Sequence, residues 1–145
     1  MIFDRKFIIC IVSVSMYWKN CKECNQENTG YRWCNACGAK RFQQNFENWT
    51  SGNNDIDKFI QNTQLLKHNF TYKVLEWIPY NRFYNIKYIA KGKFGKTYRA
   101  NWIDGCINEW DDKSQNWNRY NINMIVDLKS IDNLKIITLK FINEV

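Results

Sequence analysis

Ile89-Ala90-Lys91-Gly92-Lys93-Phe94-Gly95-Lys96-Thr97-Tyr98-Arg99-Ala100 is the stretch on which the fold turns. Its pattern predicts a strand, a tight glycine turn with Phe94 at the tip, and a returning strand. Gly92 and Gly95 carry no Cβ, so the backbone there can close over a phosphate. The β-branched and aromatic flanks suit a strand. Six basic side chains (Arg82, Lys87, Lys91, Lys93, Lys96, Arg99) lie between Arg82 and Arg99 with no acid among them. Such a local field suits a polyanion. An ordinary hairpin with basic edges has the same local pattern, so the neighbouring segments carry the argument.

Downstream, Asp104-Gly105 offers a turn. Residues 106–123 are rich in Trp, Asn and acids (Glu109, Asp111, Asp112) and read as an inserted hairpin or loop. Met124-Ile125-Val126-Asp127-Leu128-Lys129-Ser130-Ile131 is an apolar strand with a lysine in its interior. Burying a lysine unpaired is costly, so this one is expected to have a task; a snorkelling edge lysine is the plainer reading. Residues 136–145 fit the start of a helix. Side chains alternate along a strand, so Asp127 and Lys129 share a face.

The order of these segments resembles the protein kinases. Gly92 and Gly95 stand at the second and third positions of the glycine-rich loop, with Ala90 at the first and Thr97 where valine is usual. Val126-Asp127-Leu128-Lys129 resembles the lysine strand, and Glu144 stands where the lysine's helix partner is found. The resemblance covers residues 81–145 and implies the first part of a kinase small lobe. It implies ATP held by Ile89, Ala90, Lys91, Gly92, Lys93, Phe94, Gly95, Lys96, Thr97 and Lys129, with Glu144 pairing Lys129, and with Mg in a complete relative.

Two departures matter. Asp127 replaces a small residue of the family; it is expected to repel phosphate, and to pair with Lys129 in place of ATP. No catalytic loop or metal-binding motif follows Glu144, so this chain is expected not to transfer phosphate and to be an incomplete kinase-like protein. His68, the single histidine, precedes the glycine turn and reads as a solvated loop residue.

The second chemical feature is Cys21-Lys22-Glu23-Cys24, nine residues, then Cys34-Asn35-Ala36-Cys37. Two such knuckles supply four thiolates, the ligand set of a structural zinc site. The segment is too poor in apolar residues to fold without a metal. Paired disulfides in a secreted protein, or a redox pair, are the competing readings. The knuckles are similar to small zinc fingers of the ribbon and Ran-binding types, with Trp18, Asn28, Arg32 and Trp33 in similar places and a gap one residue shorter. That similarity implies a structural role, or a protein or RNA partner. Cys10 and Cys106 read as core or surface thiols.

Around these features the chain divides into residues 1–16 (an apolar leader, a stray segment or a buried strand), 17–42 (the zinc module), 43–80 (a partly helical connector) and 81–145 (the incomplete kinase domain). The apolar run at 7–16 is too short to span a bilayer. In the connector, Thr50-Ser51-Gly52-Asn53-Asn54 marks a boundary. Asn54 or Asp55 is the expected helix cap, and Ile56, Phe59, Ile60, Thr63 and Leu66 recur at helical spacing. Pro79 ends a short element over 70–78. The net charge of +7 is spread along the chain rather than gathered in a tail. The expected whole is α+β, cytoplasmic, and kinase-like with bound ATP and zinc. The alternative is a non-catalytic pseudokinase or zinc-finger adaptor for protein or RNA.

Overall fold

The structure is a computed structural model and describes residues 8–12, 20–26, 34–65, 72–92 and 95–130. Expectations for Glu144, His68, Lys93, Phe94, Leu66, Trp18, Asn28, Arg32 and Trp33 lie outside these residues. Among the described residues the architecture is α+β, with two α-helices and three small antiparallel sheets.

Helix α1 (Asn35–Gln44) starts from the second cysteine knuckle and buries Cys37, Gly38 and Phe42. Helix α2 (Asn54–Leu65) follows the predicted spacing, with Ile56 and Ile60 buried. Its cap is neither Asn54 nor Asp55 but Asn53. Asn53 Oδ1 accepts from the backbone N–H of Asp55 at 2.9 Å and of Ile56 at 3.2 Å, satisfying donors the helix leaves unpaired. Buried Asp57 braces the same corner, accepting from Thr50 Oγ1 at 2.6 Å and the Ser51 N–H at 2.8 Å.

Strand β1 (Ile8–Val12), inside the apolar N-terminal run, pairs antiparallel with β2 (Tyr72–Glu76). Ile56, Ile60 and Leu75 form one core, with Trp49, Phe59 and Trp77 against it.

The glycine hairpin forms as expected: β3 (Phe83–Gly92) returns as β4 (Gly95–Trp102), with Gly92 opposite Gly95. The apolar strand β7 (Met124–Lys129) pairs antiparallel with β4, giving the order β3-β4-β7. Two register shifts interrupt β3, and Asn85 takes a positive φ of 51° between the first pair. Bulges of this kind add twist. One face of the sheet packs Phe83, Ala100, Trp102 and Leu128 with Ile78 and Cys106 into the second core. Cys106, read above as a core or surface thiol, is disulfide-bonded; sequence spacing says nothing about partners brought together by the fold.

Of the hairpin or loop expected at 106–123, residues 106–120 form a hairpin, β5 (Cys106–Asp111) and β6 (Asn116–Tyr120). Arg119 on β6 forms a two-pronged ion pair with Glu76 on β2 and donates to the Gly105 carbonyl at 2.9 Å. Burial pushes the Glu76 carboxyl above its usual range, against the opposing pull of Arg119.

Candidate metal centre and glycine hairpin

The first knuckle is a tight turn. The Asn25 N–H donates to the Cys21 carbonyl at 2.8 Å, and Asn25 takes a positive φ of 57°, a conformation Asn tolerates. The second knuckle is a helix start. Cys34 is extended at the N-cap of α1, and its carbonyl accepts the first helical bond from Gly38 at 2.8 Å. Cys37 lies in the first turn, and the backbone N–H groups of Ala36 and Cys37 favour a thiolate at Cys34. The sequence did not signal this helix.

The four thiols, Cys21, Cys24, Cys34 and Cys37, are free, and their sulfurs all lie within 4.8 Å of one another. Cys21 Sγ is 3.8 Å from Cys37 Sγ, and Cys24 Sγ is 3.5 Å from Cys34 Sγ. Disulfides need about 2.05 Å, so these are not disulfides. A tetrahedron with metal–sulfur bonds of about 2.3 Å has sulfur–sulfur edges of about 3.8 Å. The spacing therefore fits a zinc ion held by one thiolate pair from each knuckle. The backbone N–H of Cys24 lowers the Cys21 thiol to about 7, against burial. Burial pushes the Cys34 and Cys37 thiols up. A bound cation would reverse that balance and release protons.

Arg41, one turn beyond Cys37, ties the centre to its surroundings. It pairs with Glu23 of the first knuckle and reaches Asp112 of the β5–β6 turn at 3.6 Å. Its guanidinium also lies 4.5 Å from the centroid of the Trp110 ring. Phe42 stacks on Trp117 at 5.0 Å.

On the β3-β4-β7 sheet, residues paired across strands share a face. Thr97 is opposite both Ala90 and Lys129, and Arg99 is opposite both Lys87 and Asp127. This face is open, with Ala90, Lys87, Arg99, Asp127 and Lys129 exposed. Ile89, beside the bulge, is 50% exposed, and Lys91 and Lys96 form the last pair before the glycines. Lys129 is thus not buried as an interior strand lysine would be. It sits at the exposed end of an edge strand, because no third layer covers this face among the described residues. The expected Asp127–Lys129 pair is also corrected: Asp127 accepts from Arg99 Nε at 3.1 Å. Direct cross-strand neighbours meet more closely than residues two apart on one strand.

Gly95 takes a φ of 147°, which favours glycine. Among the described residues, a Cβ at Gly92 would meet the Gly95 carbonyl at 3.7 Å, an ordinary contact.

No protein-family model, no curated protein and no solved structure matches this chain.

Proposed function

We infer that this is a protein-kinase-like, ATP-binding protein whose four-cysteine module is a structural zinc unit. The observation that carries the reading is the register of β3-β4-β7. It sets Lys129 and Thr97 side by side on an open face with Ala90, leading to the Gly92–Gly95 turn. In this reading ATP lies along that face. Lys129 neutralises the α- and β-phosphates, and the backbone at Gly92 closes over them. Mg accompanies the nucleotide, and protein phosphotransfer belongs to a fuller relative. Cys21, Cys24, Cys34 and Cys37 would hold the zinc, which cross-links two knuckles that share little apolar core.

The test is a titration of Mg-ATP into zinc-loaded protein. Saturable binding is expected, lost in Lys129→Met and tightened in Asp127→Ala, because that carboxylate shares the phosphate face. Equal affinity in all three proteins would overturn the assignment.

The Asp127 carboxylate also favours a second reading, a pseudokinase or zinc-finger adaptor that binds protein or RNA without nucleotide. Tight zinc binding by a folded protein with no ATP binding, in both the native chain and Asp127→Ala, would decide for it.

A further inference from the structure

The four thiols of the metal centre have a second chemistry open to them. Cys21, Cys24, Cys34 and Cys37 are free, while Cys106 of the same chain is disulfide-bonded. Disulfides persist where the surroundings oxidise thiols, so the free four meet the same chemistry. They are also placed for it. Both close sulfur contacts cross from one knuckle to the other, Cys21 to Cys37 at 3.8 Å and Cys24 to Cys34 at 3.5 Å. Closing either contact to a disulfide bond of about 2.05 Å needs less than about 2 Å of sulfur movement, which two side chains can share.

Access is unequal. Cys24 is exposed and Cys21 half-buried, whereas Cys34 and Cys37 are each 6% exposed. An oxidant therefore meets the first knuckle first. With hydrogen peroxide, the Cys24 thiolate attacks one oxygen, the O–O bond breaks and hydroxide leaves, giving a sulfenic acid. The Cys34 thiolate attacks that sulfur, the S–O bond breaks and a second hydroxide leaves. Two protons convert both hydroxides to water, and the two sulfurs have supplied the two electrons that the peroxide gained. Cys21 and Cys37 consume a second peroxide in the same way. The two cross-links are nested, Cys24–Cys34 inside Cys21–Cys37, so they join the same two knuckles that an ion would join.

We propose that the four-cysteine centre is a redox-interchangeable staple. Reduced, it holds zinc; oxidised by a hydroperoxide, it forms the Cys21–Cys37 and Cys24–Cys34 disulfides, gives up the ion and keeps the knuckles joined. This staple rests on the reading of the module as a zinc site and is independent of the glycine hairpin. Arg41 gives it a structural consequence. That side chain pairs with Glu23 of the first knuckle while its guanidinium lies over Trp110 of β5. Disulfides between the knuckles preserve this contact, whereas a reduced, metal-free centre has neither ion nor disulfide between them.

The experiment uses the full chain with its Cys106 disulfide retained. Zinc uptake by the reduced centre is measured first. Hydrogen peroxide is then added stepwise with a chromogenic chelator present. Release of about one zinc per chain is expected as two peroxides are consumed. Trypsin cuts after Lys22 and Arg32, which separates Cys21, Cys24 and the peptide holding Cys34 and Cys37. Tandem mass spectrometry of the unreduced digest is expected to find Cys21 joined to Cys37 and Cys24 joined to Cys34. The far-ultraviolet helix signal is expected to survive oxidation, and glutathione with added zinc to restore the zinc-loaded state. Zinc uptake followed by disulfides within the knuckles (Cys21–Cys24 and Cys34–Cys37), by sulfinic acids in place of disulfides, or by no release would overturn the staple and leave the zinc reading standing. Loss of the helix signal on oxidation, or failure to take zinc back, would do the same. No zinc uptake by the reduced chain would instead remove the zinc reading, and the staple with it.

Discussion

Gly105 is the residue whose identity the backbone constrains most. It takes a φ of 70° in the turn before β5, and a Cβ there would fall 2.1 Å from the Tyr120 carbonyl oxygen. Both the conformation and the space exclude other residues. Gly105→Ala is expected to destabilise by more than about 1 kcal/mol, read as a lower denaturation midpoint in urea. A variant as stable as the parent would show that the turn relaxes freely. The neighbouring Asp104 sets a pH dependence. Its hydrogen bonds with Arg82 hold its carboxyl below the usual value near 3.8. A depressed folded value means stability present above the ordinary range and lost as pH falls through the lower folded value. Asp104→Asn is expected to show a shallower fall of melting temperature below about pH 4 than the parent. Glu76 acts with the opposite sign, since burial raises it and the folded state takes up its proton first. Steeper acid loss in Asp104→Asn would refute the assignment. Asp104-Gly105 was legible as a turn because Asp-Gly is a local signal. The Asp104–Arg82 pair was not, because its partners are far apart in sequence.

Among the elements, the glycine hairpin, α2 and the β5–β6 hairpin follow patterns visible in the chain, namely turn glycines, helical spacing and turn acids. Helix α1 does not. Its buried face is Cys37, Gly38 and Phe42, too little apolar surface to give a periodic signal. Its start at Cys34 lacks the usual Ser, Thr, Asp or Asn side-chain cap. A helix this short is marginal alone, so metal binding at Cys34 and Cys37 is what is expected to hold its first turn. Removing zinc with a chelator, or replacing Cys37 with Ser, should therefore reduce the far-ultraviolet helix signal. It should also change the near-ultraviolet tryptophan signal, because Arg41 and Phe42 lie against Trp110 and Trp117. Retention of both signals after full metal removal would show that packing alone suffices.

At the scale of the whole molecule, pairings between distant segments were the part the sequence hid. β1 with β2, and Glu76 with Arg119, join residues whose local patterns carry no record of each other. The β3-β4-β7 order was closer to hand, since a glycine hairpin followed by one apolar strand leaves few arrangements. That sheet still has a weakness. Among the described residues β7 is an edge strand, and Ile125 is 64% exposed on the open face beside Asp127 and Lys129. An exposed apolar edge can recruit another chain, and proteins blunt such edges with charge, lysine above all. Ile125 lies opposite Asn101, so a lysine there meets no like charge across the strands, and Asp127 is its neighbour two residues on. Ile125→Lys should cost no more than about 0.5 kcal/mol, because the side chain contributes little to the core. Light scattering during concentration is expected to begin at a higher protein concentration in the variant, with the melting temperature nearly unchanged. Onset at the same or a lower concentration would mean that self-association starts elsewhere than at this edge.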